Sequence, residues 1–462
     1  MILSSLTAIS PIDGRYNSHT VKLREIFSEY AFLKFRVKVE ILWLKKLLTL
    51  HEIKLFERED EKINFHLDEI INNFNENDAQ NIKKLEKTIN HDVKSIEYFL
   101  KDKLFKILGT HRIINFVHFS CTSEDINNLA YSLMLKTAKE KIIIPMWENI
   151  IKEIKKIISH YYNFPILSRT HGQPATPSTI GKEMVNFSYR IERQLKQLKK
   201  INLLGKINGS TGNYNAHFSA YPNVNWHQIS QEFVVSLGLV WNPYTTQIEP
   251  HDYISEFFSC IARVNTILIN FNQDMWGYIS LNYFIQKNNS NEVGSSIMPH
   301  KINPINFEKS EGNLGISNAI INHFVSKLPI SRWQRDLSDS TVLRNIGSVI
   351  AYSVIAYDSL ILGMQKLKVN EVQLLEDLDK HWEILAEPIH TVMCKYGIRD
   401  AYDKLKLLTR GNKINSAIIH SYINSLTIPE EEKIQLIQLT PMNYLGLATK
   451  LAKNFKNQQY YE

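Results

Sequence analysis

The 462-residue sequence predicts an all-α protein, organised around a bundle of long helices. Three observations carry that expectation. The 17 glycines and 14 prolines are few for this length, whereas strand-and-turn folds need many such corners. Apolar residues recur at three- and four-residue steps over long stretches, which marks one face of a helix. One of these stretches, Ile254 to about Gln286, has no proline, and only Gly277 interrupts it. At 1.5 Å per residue that helix would be roughly 50 Å long, far beyond the average of about 11–12 residues.

Along the chain, an N-terminal helical domain is expected up to residue 111, a central long-helix bundle over 112–364, and a C-terminal helical domain over 365–462. The first polar loop is Ser10-Pro11-Ile12-Asp13-Gly14-Arg15-Tyr16. An Asn/Glu/Asp-rich loop follows near Asn72 to Asn81, and Asn90-His91-Asp92 lies inside or at the start of a helix. Cys121-Thr122-Ser123-Glu124-Asp125 is the next loop. Trp147, Ile150, Ile151, Ile154, Ile157 and Ile158 line one helix. Ile180, Met184, Phe187, Ile191, Leu195 and Leu198 line another, beyond a loop from Ser168 to Pro177. The long helix carries Phe257, Phe258, Ile261, Val264, Ile267, Leu268, Phe271, Met275 and Ile279. After it comes Gly294-Ser295-Ser296-Ile297-Met298-Pro299-His300-Lys301-Ile302-Asn303-Pro304, which glycine and two prolines exclude from regular structure. A last polar loop runs from Arg332 to Arg344. Helices this long, apolar on wide faces, leave stripes that one chain cannot cover, so a bundle shared between subunits is expected.

Several function classes drop out. Cys121, Cys260 and Cys394 are widely spaced and odd in number, with no CxxC pair or His/Cys cluster, so neither a disulfide framework nor a structural zinc site is expected. Met1 to Arg15 has no basic segment leading into an apolar core, and no run approaches the roughly 20 apolar residues of a membrane span. The reducing cytoplasm is the expected location. The net charge of +7 is spread over lysines interleaved with apolar positions, as at Lys155-Lys156 and Lys199-Lys200, which argues against a nucleic-acid stripe. The surplus is available to attract a polyanionic small molecule. With no metal-ligand spacing, Walker-type loop, GxGxxG or Gly-x-Ser-x-Gly elbow, the expectation is an enzyme without metal or cofactor.

Candidate chemistry sits in the loops. Ser295 offers a hydroxyl nucleophile or base, but serine is a poor base unless its alkoxide is stabilised. Lys301 and the backbone N–H groups of the Gly-Ser turn are suited to that. Lys301 and Asn303 are also suited to bind a carboxylate and hold the charge that develops when a proton leaves the adjacent carbon. His171, between Thr170 and Gly172-Gln173-Pro174, is a candidate general acid or base, since histidine as a residue type titrates near neutrality. Arg15-Tyr16, Arg332, Arg335 and Arg344 are candidate anion clamps. Arg335 and Arg344 flank Ser338, Ser340 and Thr341, an arrangement that suits a phosphate. His91 and Asp92 form either an oriented His–carboxylate pair or, with Asp92 as cap, the start of a helix.

The loop Gly-Ser-Ser-x-Met-Pro-x-Lys-x-Asn-Pro resembles the signature of the fumarase/aspartase superfamily. The blocks Ser10 to Tyr16, Asn90 to Lys94, Thr122 to Asp125, Thr170 to Pro177 and Arg332-Trp333-Gln334-Arg335-Asp336-Leu337 are similar to those of the adenylosuccinate lyases, in the bacterial form and across essentially the whole chain. The resemblance implies three helical domains, a homotetramer with each active site built from three subunits, and no cofactor. It also implies two β-eliminations. Adenylosuccinate gives AMP and fumarate, and the succinyl-carboxamide ribotide SAICAR gives AICAR and fumarate. On that resemblance Ser295 takes the proton, His171 protonates the departing nitrogen, and Lys301 and Asn303 support the carbanion. Arg15, Tyr16, Arg335, Ser340, Thr341 and Arg344 are implied at the nucleotide end. Thr122, Ser123, Gln247, Ser296, Lys301, Ile302 and Asn303 are implied at or near the succinyl end, with Asn90, His91 and Asp92 positioning the substrate. The chain departs from the pattern at Lys309, where an asparagine is expected, and at Ile297, where a small polar residue is usual. The phosphate-type cluster at 335–344 separates this reading from a lyase of argininosuccinate or aspartate. The presence of Ser295, His171, Lys301 and Asn303 together separates it from a binding protein that has lost catalysis.

Overall fold

The computed structural model of the protein describes residues 3–53, 61–109, 111–287, 297–298 and 300–457. The chain divides into two compact units. One comprises Met1–Met146, Gln194–Thr266 and Gly312–Ala356, the other Trp147–Arg193, Ile267–Glu311 and Tyr357–Glu462. The crossings at Met146, Arg193, Thr266, Glu311 and Ala356 all fall inside helices. Helices dominate, as the composition predicts. The strands among the described residues are short and form two-stranded pairs.

In the first unit, helix α1 (Glu29–Leu48) starts where the Ser28 hydroxyl accepts the Ala31 N–H. It buries Leu33, Val37, Ile41 and Leu44, a three- and four-residue repeat, against Ile96, Leu100 and Leu104 of α2 (Asp92–Leu108). Leu67, Ile70 and Ile82 of the intervening helices complete that core, each fully buried aliphatic side chain contributing about 1.5–3 kcal/mol over an exposed one. Helix α3 (Ser123–Ala138) is buried on nearly every side, polar residues included. Its polar groups are matched by the segment 204–209. Asn128 donates to the Lys206 carbonyl and accepts the Lys206 N–H, and Ser132 donates to the Leu204 carbonyl. Asp125 pairs with the wholly buried Lys206 ammonium at 2.9 Å and accepts the N–H groups of Asn208 and Gly209.

In chain order the remaining elements that matter are α4 (Ile144–Tyr161), β1 (Pro165–Thr170), β2 (Gln173–Thr179), α5 (Ile180–Lys200), α6 (Asp252–Ser280), β3 (Phe284–Gln286), α7 (Ile305–Lys327), α8 (Ser338–Leu343), α9 (Ile346–Gln365), β4 (Leu367–Val369) and α10 (Glu371–Asp379). In α5 all six apolar positions of the predicted face are buried, and in α6 every predicted position from Phe257 to Met275 is. The second unit contains the antiparallel hairpin β1–β2, the antiparallel pair β3–β4, and a core of Leu167, Leu378, Leu385, Ile389, Met393, Ile419 and Ile423.

Three expectations need correcting. Helix α6 ends at Ser280, not near Gln286, because Asn282 adopts a left-handed backbone (φ 60°) and the next residues pair as β3 with β4. The segment Ser168–Pro177 is not a plain loop but most of a β-hairpin. A two-stranded ribbon has only edges, so Pro174 and Pro177 cost it no inner ladder bond. Ser338–Gln365 contains an 18-residue window apolar enough to match a membrane span by composition, and 72% of that window is buried within the protein.

His217 shows how closely the first unit is packed. It is fully buried, edge-on to Trp43, Tyr214 and Trp226, and neither ring nitrogen has a hydrogen-bond partner among the described residues. Burial pushes its pKa down to about 4 from 6.5; the nearby Lys206 adds to this and Asp125 opposes it. The unfolded chain therefore takes up this proton first as pH falls. The stability linked to His217 is complete above pH 6.5 and is lost towards pH 4, by about 3 kcal/mol over that interval. We expect His217→Phe to flatten the acid limb of stability against pH, measured by urea denaturation between pH 4 and 7. An unchanged acid limb would show that other groups govern it.

Candidate active site

The first unit assembles most of the predicted polar residues. Asn90 closes the helix Glu76–Ile89 in a left-handed conformation (φ 54°), His91 caps α2, and Asp92 is its first residue. The His91 Nδ1 accepts the Lys94 N–H at 3.1 Å, so it has no proton to give Asp92, whose Oδ1 is 3.9 Å away. Of the two alternatives, the start of a helix is what forms, with His91 rather than Asp92 as its cap. Asp92 instead meets two arginines: Arg36 Nη2 at 2.7 Å and Arg344 Nη2 at 3.5 Å. Burial alone would raise the Asp92 carboxyl. The Arg36 charge and hydrogen bond, the Val93 N–H and Arg344 outweigh it and hold the carboxyl below its usual range.

From Asp92 a series of hydrogen bonds and ion pairs leads on. Arg36 Nε donates to Asn127 Oδ1 at 2.8 Å, and Asn127 Nδ2 donates to Glu124 Oε1 at 2.8 Å. Glu124 Oε1 faces Arg335 Nη1 at 3.0 Å. Arg335 Nη2 lies 4.0 Å from Asp339 Oδ1, which accepts the Ser340 N–H at 2.7 Å. His251 Nε2 is 3.1 Å from the other Asp339 oxygen, and the His251 N–H donates to Glu249. Burial would raise Asp339, but His251, Arg335 and the Ser340 N–H hold it low. His251 is itself buried in a left-handed backbone (φ 66°). Five predicted residues, Asp92, Arg335, Ser340, Thr341 and Arg344, thus lie on or beside one charged chain. Thr341 is exposed on α8. Arg36, Asn127, Glu124, Asp339 and His251, which join them, are not singled out by the sequence as site residues.

The other predicted residues of this unit sit in separate turns. Arg15 is exposed and Tyr16 half-buried in the turn that closes on the Pro11 carbonyl. Thr122 and Ser123 begin α3, and the Thr122 N–H donates to Asp125. Gln247 donates to the Ser210 carbonyl at 3.1 Å.

In the second unit His171 sits at the tip of β1–β2. The two residues between the strands, His171 and Gly172, have φ 53° and 75°, the both-positive pattern of a tight type I′ hairpin turn. The imidazole is exposed. Arg169 anchors the hairpin by donating to Asp377 of α10 at 2.5 Å, and Tyr283 also donates to Asp377. Thr176 donates to Glu387. Lys301 and Ile302 are exposed and Asn303 half-buried just before α7. The Lys301 N–H donates to the Met298 carbonyl, and Gln286 donates to the Ile302 carbonyl. Lys309 is half-buried on α7. Ser295 and Ser296 lie outside the described residues. Among the described residues no cluster of three or more His, Cys, Asp or Glu is arranged to hold a metal ion.

These helices and loops belong to a family of lyases. The family model described as Lyase matches residues 14–320. Two solved structures share the fold: fumarate lyase from Mesorhizobium sp. BNC1 (TM-score 0.77, 17% identity, 95% of this chain and 98% of that one) and 3-carboxy-cis,cis-muconate lactonizing enzyme from Pseudomonas putida (TM-score 0.75, 18% identity, 96% and 98%). A second model, Adenylosuccinate lyase C-terminal, matches residues 331–445. Adenylosuccinate lyase of Buchnera aphidicola subsp. Baizongia pistaciae is 68% identical over 99% of both chains, and that of Escherichia coli (strain K12) is 58% identical over 99% of this chain and 100% of its own. The chain belongs to the adenylosuccinate lyase family.

The Arg169–Asp377–Tyr283 contacts tie the hairpin that presents His171 to α10. Hydrogen bonds to a charged group are worth about 1.5–3 kcal/mol, so Asp377→Asn should speed amide hydrogen exchange in residues 165–179 by roughly 10-fold or more. Unchanged exchange there would mean that packing, not the carboxylate, fixes the hairpin.

Proposed function

We propose that this chain is a lyase that eliminates fumarate from adenylosuccinate, leaving AMP, and from SAICAR, leaving AICAR. The relatives' names supply the first substrate and the resemblance the second. One observation of this chain's own geometry carries the reading to it. Asp92, Arg335 and Arg344 come from distant parts of the sequence and stand on one connected set of charged side chains, beside Ser340 at the start of α8. Two arginines and the nearby Ser340 hydroxyl suit a phosphate, which argininosuccinate and aspartate lack.

In the proposed reaction Ser295 takes the proton from the carbon beside a carboxylate. Lys301 and Asn303 hold the charge that builds on that carboxylate, and His171 gives a proton to the nitrogen as the C–N bond breaks. One acid or base so placed is typically worth 10²–10⁴ in rate. The exposed tip of a rigid hairpin supports His171 in this role, because its imidazole is open to substrate while the strands behind it stay fixed. Arg15, Tyr16, Thr122, Ser123, Gln247 and Ser296 complete the substrate contacts. Lys309, where the family pattern has an asparagine, either meets the phosphate as a point charge or turns to solvent. No metal or cofactor takes part.

The resemblance further implies three domains, a cytoplasmic location and a homotetramer with shared sites. Apolar side chains left exposed on long helices support the assembly: Trp276 on α6 is 49% exposed, Ile316 on α7 47% and Leu362 on α9 46%. Covering such surfaces is what drives stable association.

The purified protein is expected to release fumarate from adenylosuccinate with no added metal or cofactor, followed by absorbance. No turnover would overturn the assignment. Ser295→Ala should bind substrate and lose at least about 10²-fold in rate, and a variant retaining more than about a tenth of the wild-type rate would remove Ser295 as the base. Sedimentation should give a tetramer at micromolar concentration, and a monomer would exclude shared sites.

A further inference from the structure

One guanidinium is buried at the centre of the charged chain and has no role in the reaction described above. Arg36 is 2% exposed, and its guanidinium carbon lies 3.8 Å from the centre of the Phe32 ring. Its Nη2 donates to Asp92 at 2.7 Å, and its Nε donates to Asn127 at 2.8 Å. Beyond Asp92 stands Arg344 at 3.5 Å. Beyond Asn127 stands Glu124 at 2.8 Å, and then Arg335 at 3.0 Å. Two edges of a single planar fork therefore lead to the two arginines of the anion cluster, by one intermediate in one direction and by two in the other.

Stability is a poor reason for this arrangement. Taking a charge out of water costs several kcal/mol before pairing repays it, and an apolar side chain of similar volume is often as good or better. Here the balance is worse still, because Arg36 Nη1 is buried without a hydrogen-bond partner among the described residues. What a guanidinium supplies and an apolar or lysine side chain does not is rigidity. Its donors lie in one plane at fixed spacing, whereas an ammonium is a single point on a flexible stem. Asp92 and Asn127 are thereby held at one separation. Their own partners inherit it, since Asp92 faces Arg344 directly and Asn127 orients Glu124 against Arg335.

We propose that Arg36 is a positioning residue for anion recognition, holding Asp92 and, through Asn127, Glu124 so that Arg344 and Arg335 stand at the spacing that grips one phosphate. The inference rests on the reading of Arg335 and Arg344 as the phosphate-binding pair. Arg36 itself touches no ligand in this scheme.

The test compares the binding of AMP and adenosine by calorimetry to the full-length wild type, Arg36→Lys, Arg36→Met and Asn127→Leu. The ratio of the two affinities isolates the phosphate. The wild type should prefer AMP. Each Arg36 variant should lower that preference about 10-fold or more, in the range of couplings within one charged network, while adenosine affinity stays within about threefold. Asn127→Leu cuts only the arm towards Arg335 and should give a smaller loss in the same ratio. If the wild type does not prefer AMP, the phosphate reading fails and this inference fails with it. If the wild type prefers AMP and Arg36→Lys keeps that preference, the inference alone is overturned. A parallel loss of adenosine affinity would assign Arg36 a purely structural role and overturn it too. If circular dichroism shows that neither Arg36 variant folds, Asn127→Leu decides: an unchanged ratio overturns the inference, and a reduced one sustains it.

Discussion

A carboxylate with no exposed surface, Asp125, sets the geometry of the first unit. An ionised carboxylate left unpaired in such a place would cost several kcal/mol or lose its charge. Asp125 avoids both by pairing with Lys206, itself wholly buried, and by accepting three backbone N–H groups, from Thr122, Asn208 and Gly209. Those contacts tie the first turn of α3 to the segment 204–209, so neither moves alone. Glu124 and Asn127 project from the same two turns of α3 and reach the arginines from a fixed base. The same constraint recurs further out, where Glu249 and Asp339 meet His251 from different sides.

The second unit solves a different problem with similar means. A two-residue turn carries His171 into solvent, and an exposed ribbon alone is marginally stable in water. The carboxylate of Asp377 on α10 gathers Arg169 and Tyr283, and Leu167 of β1 enters the apolar core of the C-terminal helices. Polar contacts therefore fix where the hairpin points, and apolar burial keeps it there.

Much of this was legible in the sequence. The apolar faces of α5 and α6 could be read residue by residue, because a helix fixes its own period and needs no distant partner to reveal it. The loops bearing Arg15 and His171 stood out through clustered polar residues beside glycine or proline, those bearing His91, Thr122 and Arg335 through clustered polar residues alone. The hairpin was hidden by Pro174 and Pro177, which argue against a strand unless it has a free edge. The charged chain was hidden for a deeper reason. Arg36 sits in α1 between Lys34 and Lys38, and no local feature separates a buried charge from a solvated one. Its partners are 56 and 91 residues away. The one local hint is that Arg36 and Glu40 are four apart and run alongside Leu33, Val37, Ile41 and Leu44, so both fall on the margin of the buried face.

The turn at His171 narrows which residues the chain can place there. Left-handed backbone costs most L-residues roughly 1–2 kcal/mol, with asparagine and aspartate among the better tolerated, and a β-branched side chain there is a genuine outlier. Position 171 is thus held to a backbone that few side chains accept. Its neighbourhood of viable replacements is small, and drift at this position is confined mainly to glycine, asparagine and aspartate. Neither glycine nor asparagine carries a titratable group, so a chain that changes His171 by the structurally easiest routes loses the imidazole while keeping the hairpin intact.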